Sequence, residues 1–235
     1  MTPFCDRIES MPGMAELRAR VRELLALPAG ASVVDVGCGA GHALAEFVGC
    51  RAIGVDRDAE AIAAARSRLP GAEWHVGDAT SLPLADGSVQ GYRASRVLHL
   101  VPDPAAALAE AHRVLTPGGR VALVGPDYGT VVIDGPQDVV RAANGVAREA
   151  GAGRKLRGLL LDAGFADVRV EIHTPVYTDH AVVAESLTVL ADAAVRSGHV
   201  TRPDADTWLA DQADRAARDR FFTAWPLFLA SATRP

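Results

Sequence analysis

The stretch Val33-Val34-Asp35-Val36-Gly37-Cys38-Gly39-Ala40-Gly41-His42 constrains this chain more than any other. A β-branched run that ends in an acid predicts a buried strand. Glycines at 37, 39 and 41 then allow positive φ and put no Cβ between the backbone and whatever lies against it. Helix-forming residues follow, so the expectation is a strand, a tight turn and a helix opening beneath it. Consecutive amides in such a turn, at a helix N-terminus, suit an anionic group, and Asp35 adds a fixed negative charge. Amide donors beside a carboxylate suit a zwitterion better than a pyrophosphate. The reading is a nucleotide-type cofactor loop; the alternative is that such a turn serves packing alone, since His42 stands where a Gly-x-Gly-x-x-Gly pattern has its last glycine.

The bulk numbers narrow the rest. A chain of 235 residues, 49% hydrophobic and 23% charged, is one domain or one domain with an insertion, large enough to bury a full core. No apolar run approaches the ~18 residues of a membrane span. Met1 to Ser10 carries acids and lacks the apolar core of a signal peptide, which makes the cytoplasm the expected location. Cys5, Cys38 and Cys50 are odd in number and read as reduced thiols. Neither they nor His42, His75, His112, His173 and His199 show metal-ligand spacing, so no metal is expected. A net charge of −5 with no Lys/Arg stripe argues against nucleic acid. The expected partner is a small molecule. Ala- and Arg-rich usage with few lysines points to a GC-rich bacterial source.

Along the chain, Leu17, Val21, Leu24 and Leu25 form one stripe of a helix over 14–27, stopped by Pro28 and Gly30. Strands are expected at about 31–36, 51–56, 73–76, 89–94 and 120–124. Between them fall helices over 43–48, over 59–69 with Asp58 as cap, and from Asp103-Pro104 onward. That alternation means a parallel sheet with helices on both faces. Beyond residue 125 the pattern predicts helices over 136–149 and 154–163, a strand over 167–173, and two amphipathic helices over 178–220 broken at Ser197-Gly198. Thr201-x-x-Asp204 looks like a capping box for the second of these. The apolar run 221–232 is expected to be a last strand, with Pro226 forcing a bulge or a start after it.

With those residues in place, the sequence resembles the class I S-adenosylmethionine-dependent methyltransferases, in the branch holding ubiquinone/menaquinone-type and natural-product small-molecule enzymes. The resemblance spans about residues 15–173 and rests on four motifs in order. Asp35-x-Gly37-x-Gly39-x-Gly41, with Cys38 contributing its backbone, is similar to the family's first motif. Asp56, followed by Arg57, is similar to the acid that holds both ribose hydroxyls. Gly77-Asp78-Ala79 is similar to the turn where the acid accepts from the adenine amino group and the next amide meets the ring. Leu115-Thr-Pro-Gly-Gly119 is similar to the Leu-x-Pro-Gly-Gly signature before a strand. The segment Ser95-Arg96-Val97-Leu98-His99 falls where the family touches the methionine part and the substrate. There the chain departs from the usual pattern, with Val89-Gln90 for Phe-Asp and His99-Leu100 for a His-His pair.

The resemblance implies an α/β, Rossmann-like, doubly wound seven-stranded sheet, mostly parallel, with an antiparallel last strand between the fifth and sixth. S-adenosylmethionine would lie across the strand ends. One domain over 1–235 would comprise a helical segment 1–28, a cofactor-binding core 29–173, a helical lid 178–220 and the last strand 221–232. Methyl transfer from a sulfonium needs chiefly a near-attack geometry, which can supply about 7–11 kcal/mol. A base matters only where the nucleophile must lose a proton. His99 is the foremost candidate, then Asp127 and Tyr128, then His180; Tyr128 and Tyr177 also read as apolar lining. The expected function is methylation of a small, largely apolar metabolite, natural-product or quinone-like, with O favoured over C or N. The alternative is a same-fold cofactor-binding protein that does not methylate. No nucleic acid and no membrane are expected as partners, and the chain is expected to be a monomer or homodimer.

Overall fold

In the computed structural model, which describes residues 7–146 and 151–235, helices and strands alternate as the hydrophobic pattern requires. The first half runs α1 (Met14–Leu25), β1 (Ser32–Val36), β2 (Arg51–Asp56), α2 (Ala59–Arg68), β3 (Glu73–Val76), β4 (Val89–Ser95), α3 (Pro104–Val114) and β5 (Leu115–Pro126). There follow β6 (Val132–Ile133), α4 (Asp138–Val146), α5 (Ala152–Asp162), β7 (Ala166–His173), β8 (Val176–Tyr177), α6 (His180–Arg196), α7 (Arg202–Ala217), β9 (Thr223–Ala224) and β10 (Leu227–Thr233). Caps sit where the sequence places them. Asp58 accepts from the Glu60 and Ala61 amides at the start of α2, and Asp103 accepts from the Ala106 amide at the start of α3.

Seven strands form one sheet in the order β3-β2-β1-β4-β5-β10-β7. β1 pairs in parallel with β2 on one side and β4 on the other, and β2–β3 and β4–β5 are also parallel. The order therefore reverses between β1 and β4, the place where such sheets hold ligands. β10 lies between β5 and β7. Its end is tied to the start of β5 by Gly118 N–H to the Arg234 carbonyl and Arg234 N–H to the Gly119 carbonyl, 2.8 Å each, which makes the pair antiparallel. The core packs Val34, Ile53, Val55, Tyr92, Leu108 and Leu123 from the sheet and α3.

One expectation about the glycine turn changes. No α-helix follows the glycine turn: only residues 42–48 separate Gly41 from Gly49, and what forms there is a single 3₁₀ turn, Leu44–Glu46. The Gly30 amide donates to the Gly49 carbonyl at 2.7 Å, so the chain must already be back at the sheet, and a helix of useful length has no room to nucleate. The last strand of the large sheet begins at Leu227, after Pro226, so the proline interrupts no ladder. At Thr201 the hydroxyl accepts from the Asp204 amide at 3.3 Å and donates to the Asp204 carboxylate at 2.6 Å; the short acid reaches the hydroxyl rather than the backbone. The final residues of the helix expected over 136–149 lie outside the described residues.

The chain divides into two compact units. The first is Met1–Gly125, Gly153–Glu171 and Phe228–Pro235; the second is Pro126–Ala152 and Ile172–Leu227. The second unit is larger than the lid expected over 178–220, because the segment after β5 joins it. It contains a small sheet in the order β6-β9-β8, whose antiparallel register aligns Val132, Ala224 and Val176 in one row. Thr223 Oγ1 donates to the Val132 carbonyl at 2.9 Å and accepts from Trp225 Nε1 at 2.6 Å, and Trp208 Nε1 donates to the Pro136 carbonyl at 3.0 Å. Thr223, Ile133 and Tyr177 form its buried face, while Val132 and Val176 are half exposed on the other.

Candidate functional site

The candidate residues of the first unit gather at the carboxyl ends of β1, β2, β3 and β4. After β1 the chain turns through Gly37, Gly39 and Gly41 at φ of 68°, 53° and 77°, a region other residues enter at a cost. Sterics agree: a Cβ on Gly37 would lie 2.3 Å from Val97 Cγ2, and one on Gly41 would lie 2.4 Å from the Trp74 ring. Trp74 is the floor of this turn. It is buried, its indole N–H donates to the Leu69 carbonyl at 3.1 Å, and its ring also fills the place of a Cβ on Gly54.

The turn's amides are not a row of free donors. Gly37 and Cys38 both donate to the Val55 carbonyl (2.8 and 3.2 Å), Gly41 donates to the Cys38 carbonyl (3.0 Å), and Gly39 donates to Asp56 Oδ2 (2.8 Å). The expectation of an anion cradle at a helix N-terminus is therefore corrected at these positions: the donors are spoken for and the helix is absent. What the turn offers a ligand is smooth backbone held rigidly. The Cys38 thiol is buried, and burial pushes it well above the usual thiol range, so it stays protonated.

Asp35 also differs from expectation. It is 1% exposed and faces Arg93 across the β1–β4 pair, in register, with Nη1 to Oδ1 at 2.6 Å. Its Oδ2 is buried with no hydrogen-bond partner among the described residues. Burial pushes the Asp35 carboxyl up, and the Arg93 guanidinium works against that shift. The fixed negative charge expected near the loop is thus countered by a buried cation. Sequence reasoning missed Arg93, although a signal was present: an arginine inside the apolar run Val89–Ala94, at the register of the one acid in the neighbouring strand.

Asp56 and Asp78 are arranged differently. Each Asp56 oxygen accepts one backbone amide, Oδ2 from Gly39 at 2.8 Å and Oδ1 from Asp58 at 3.0 Å, and each keeps a further acceptor direction. Asp78 takes both local bonds on Oδ1, from the Thr80 amide (2.8 Å) and hydroxyl (2.6 Å). Those bonds, with the nearby charge of exposed Arg57, hold its carboxyl below the usual range. Ala79 sits half-buried beside it.

β4 ends at Ser95, and Arg96 follows at φ 58° with its amide donating to the Val124 carbonyl at 2.7 Å. Its guanidinium is bonded to Glu9, which also accepts from Arg18 at 3.2 Å; Arg18 in turn reaches Glu46 at 2.6 Å. These ion pairs moor α1 and the segment before it to the β4 exit and to the turn after the glycines. Glu9 is a second residue the sequence did not single out. His99 lies in the 3₁₀ turn Leu98–Leu100, half-buried, and burial, with the Arg96 cation second, lowers its pKa to about 4. A histidine whose folded pKa is depressed binds fewer protons folded than unfolded between about 4 and 6.5. Its contribution to stability is therefore constant above pH 6.5 and falls as pH drops through that window. His99→Gln is expected to flatten the fall, read by urea unfolding at pH 7 and pH 5; an unchanged slope would count against the shift.

Asp127, Tyr128 and His180 belong to the second unit. Asp127 is buried, and its carbonyl accepts the Thr130 amide (3.0 Å) and hydroxyl (2.8 Å). Tyr128 is half-buried in a 3₁₀ turn, and the His180 ring meets Phe221 edge-on at 5.2 Å. Among the described residues no cluster of three or more His, Cys, Asp or Glu is placed to hold a metal ion.

A family model described as a methyltransferase domain matches residues 34–123, which run from β1 into β5. Over 97% of its length the chain is 35% identical to an uncharacterized 37.1 kDa protein in transposon TN4556 of Streptomyces fradiae, covering 70% of that protein. It is 41% identical, over 43% of its length, to 2-phytyl-1,4-naphtoquinone methyltransferase of Thermosynechococcus vestitus, and spans about half (48%) of that enzyme. Among solved structures it is similar in fold to geranyl diphosphate C-methyltransferase of Streptomyces coelicolor A3(2), which was determined with Mg2+, geranyl diphosphate and S-adenosyl-L-homocysteine. That likeness has a TM-score of 0.59 and 18% identity, and covers 94% of this chain and 79% of that one.

Proposed function

Because the chain belongs to the class I S-adenosylmethionine-dependent methyltransferases, we propose that it methylates a small, largely apolar, uncharged acceptor through a hydroxyl group. S-adenosylmethionine, when bound, supplies an electrophilic methyl on a sulfonium. The acceptor set fits that cofactor: a vicinal diol can meet the one remaining acceptor direction on each Asp56 oxygen, and an amino group can meet the unspent Oδ2 of Asp78. Asp35, Gly37, Cys38, Gly39 and Gly41 would form the wall under the nucleoside and methionine parts, with Arg57 and Ala79 beside the base and Ser95 and Arg96 at the amino-acid end.

The observation that carries the substrate reading is His99. An imidazole held neutral, in a turn whose neighbours are Val97, Leu98 and Leu100, can accept a hydrogen bond from an acceptor hydroxyl without bringing charge to the site. With a pKa of about 4 it is a weak proton acceptor at neutral pH, so its role is to orient the hydroxyl more than to ionise it. The naphthoquinone named for one relative supports a quinone-like acceptor. The bacterial relatives and the Ala- and Arg-rich composition support a bacterial enzyme that decorates a natural product or quinone-like metabolite. Asp127 and Tyr128 are the further candidates for contact with the acceptor.

The test is transfer of a radiolabelled methyl from S-adenosylmethionine to matched hydroquinone, arylamine and carbon-acid acceptors. Label is expected in the hydroxy compound. Label only in the amine or carbon acid would overturn the O-directed reading. Cofactor binding without transfer to any acceptor would favour a same-fold protein that does not methylate.

A further inference from the structure

β7 stands at the end of the seven-stranded sheet, beyond β10, so one side of its backbone meets no other strand of that sheet. From Val168 onward its residues, Val168-Arg-Val-Glu-Ile-His173, point by turns to the two faces of the sheet. Val168, Val170 and Ile172 line one face, with Val170 39% and Ile172 59% exposed. Arg169, Glu171 and His173 line the other. Arg169 is exposed, and Glu171 is bridged to Arg20 of α1, whose Nε lies 2.7 Å from Oε2.

An edge with no further strand of its sheet beside it invites pairing, and charges placed on it ordinarily repel a second strand. Here the signs do the opposite. Set an antiparallel copy of β7 against itself about a two-fold axis at Val170, and Arg169 faces Glu171 of the second copy, Val168 faces its Ile172, and Val170 faces Val170. Over the regular stretch 168–172 each charged position then meets an opposite charge, and each apolar position meets an apolar one. Slipping the register by one residue sets valines against charges. Moving the axis to Arg169 opposes two arginines; moving it to Glu171 opposes two glutamates. Asp167 has φ 53°, which bends the strand at its start and confines regular pairing to the stretch from Val168 onward.

We propose that β7 is an isologous interface to a second copy of this chain, joining two sheets edge to edge about Val170. The contact is a single short strand, so the association is weak, concentration-dependent and loosened by salt.

Charge reversal tests it without relying on loss of the fold. Sedimentation of the wild-type chain across a concentration series is expected to move from 24.6 kDa toward twice that mass. Arg169→Glu sets acid against acid across the axis and Glu171→Arg sets base against base, and each is expected to weaken self-association by about tenfold or more. The exposed Arg20 bridge that Glu171→Arg breaks contributes little to the monomer. An equal mixture of the two variants restores opposite charges at both contacts and is expected to regain the wild-type mass. A wild-type chain that stays at 24.6 kDa throughout would overturn the interface. So would single variants that associate as the wild type does, or a mixture of folded variants, checked by circular dichroism, that fails to recover.

Discussion

Arg93→Met is expected to lower the free energy of unfolding by about 3–5 kcal/mol, the range seen when one partner of a buried ion pair is removed. The methionine conserves length and apolar stem, so the loss comes from the carboxylate left behind. Asp35 is 1% exposed, one of its oxygens already lacks a hydrogen-bond partner, and the other relies on Arg93 at 2.6 Å. Without the guanidinium, that group must stay protonated or draw water into the centre of the sheet. The pH dependence carries the sign. A carboxyl whose folded pKa lies above its unfolded value binds more protons folded, so the variant gains stability on acidification and loses it as pH rises. Asp35→Asn combined with Arg93→Met removes both charges and is expected to recover most of the loss. Urea titrations of the wild type, the single and the double variant measure all three quantities. A single variant within about 0.5 kcal/mol of the wild type would show that the pair contributes nothing.

Asp56→Ala is expected to raise the dissociation constant for S-adenosylmethionine about tenfold or more, measured by calorimetry. Two hydroxyls donating to one carboxylate make charge-assisted bonds of about 1.5–3 kcal/mol each, and losing even one accounts for an order of magnitude. The same substitution frees the Gly39 and Asp58 amides, so part of the loss reflects a loosened turn. Asp56→Asn separates the two effects: its amide oxygen can keep the Gly39 contact while one acceptor and the charge are gone. A thermal melt in the absence of cofactor reports the turn alone. Unchanged affinity in Asp56→Ala would remove this residue from the site.

The large sheet was legible because its information is local. β-branched runs bounded by caps and prolines place β1 to β4 to within a residue or two. β5, by contrast, begins at Leu115, five residues before the expected 120, because the Thr-Pro-Gly-Gly stretch read as a break already runs in the strand. Of the bulge or later start that Pro226 predicts, the strand takes the later start. The unit around β6, β8 and β9 was not legible. Two-residue strands such as Val132–Ile133 have no period to detect, and their pairing with Thr223–Ala224 spans some ninety residues of chain. The candidate site divides in the same way. Asp56 and Asp78 announce themselves at strand ends by residue type. Which amides are free depends on tertiary partners such as the Val55 carbonyl, and no spacing rule shows that. Arg93 and Glu9 matter only through neighbours far along the chain, Asp35 and Arg96 respectively.

The chain crosses from Gly41 to Gly49 with hardly any slack, over an indole that fills the space below. A bend pinned this way has little freedom left to surrender when a nucleoside docks against it. Tightness at this end of the crevice then reflects the quality of contacts alone. Adaptation to different partners falls to parts of the molecule that carry no such plug.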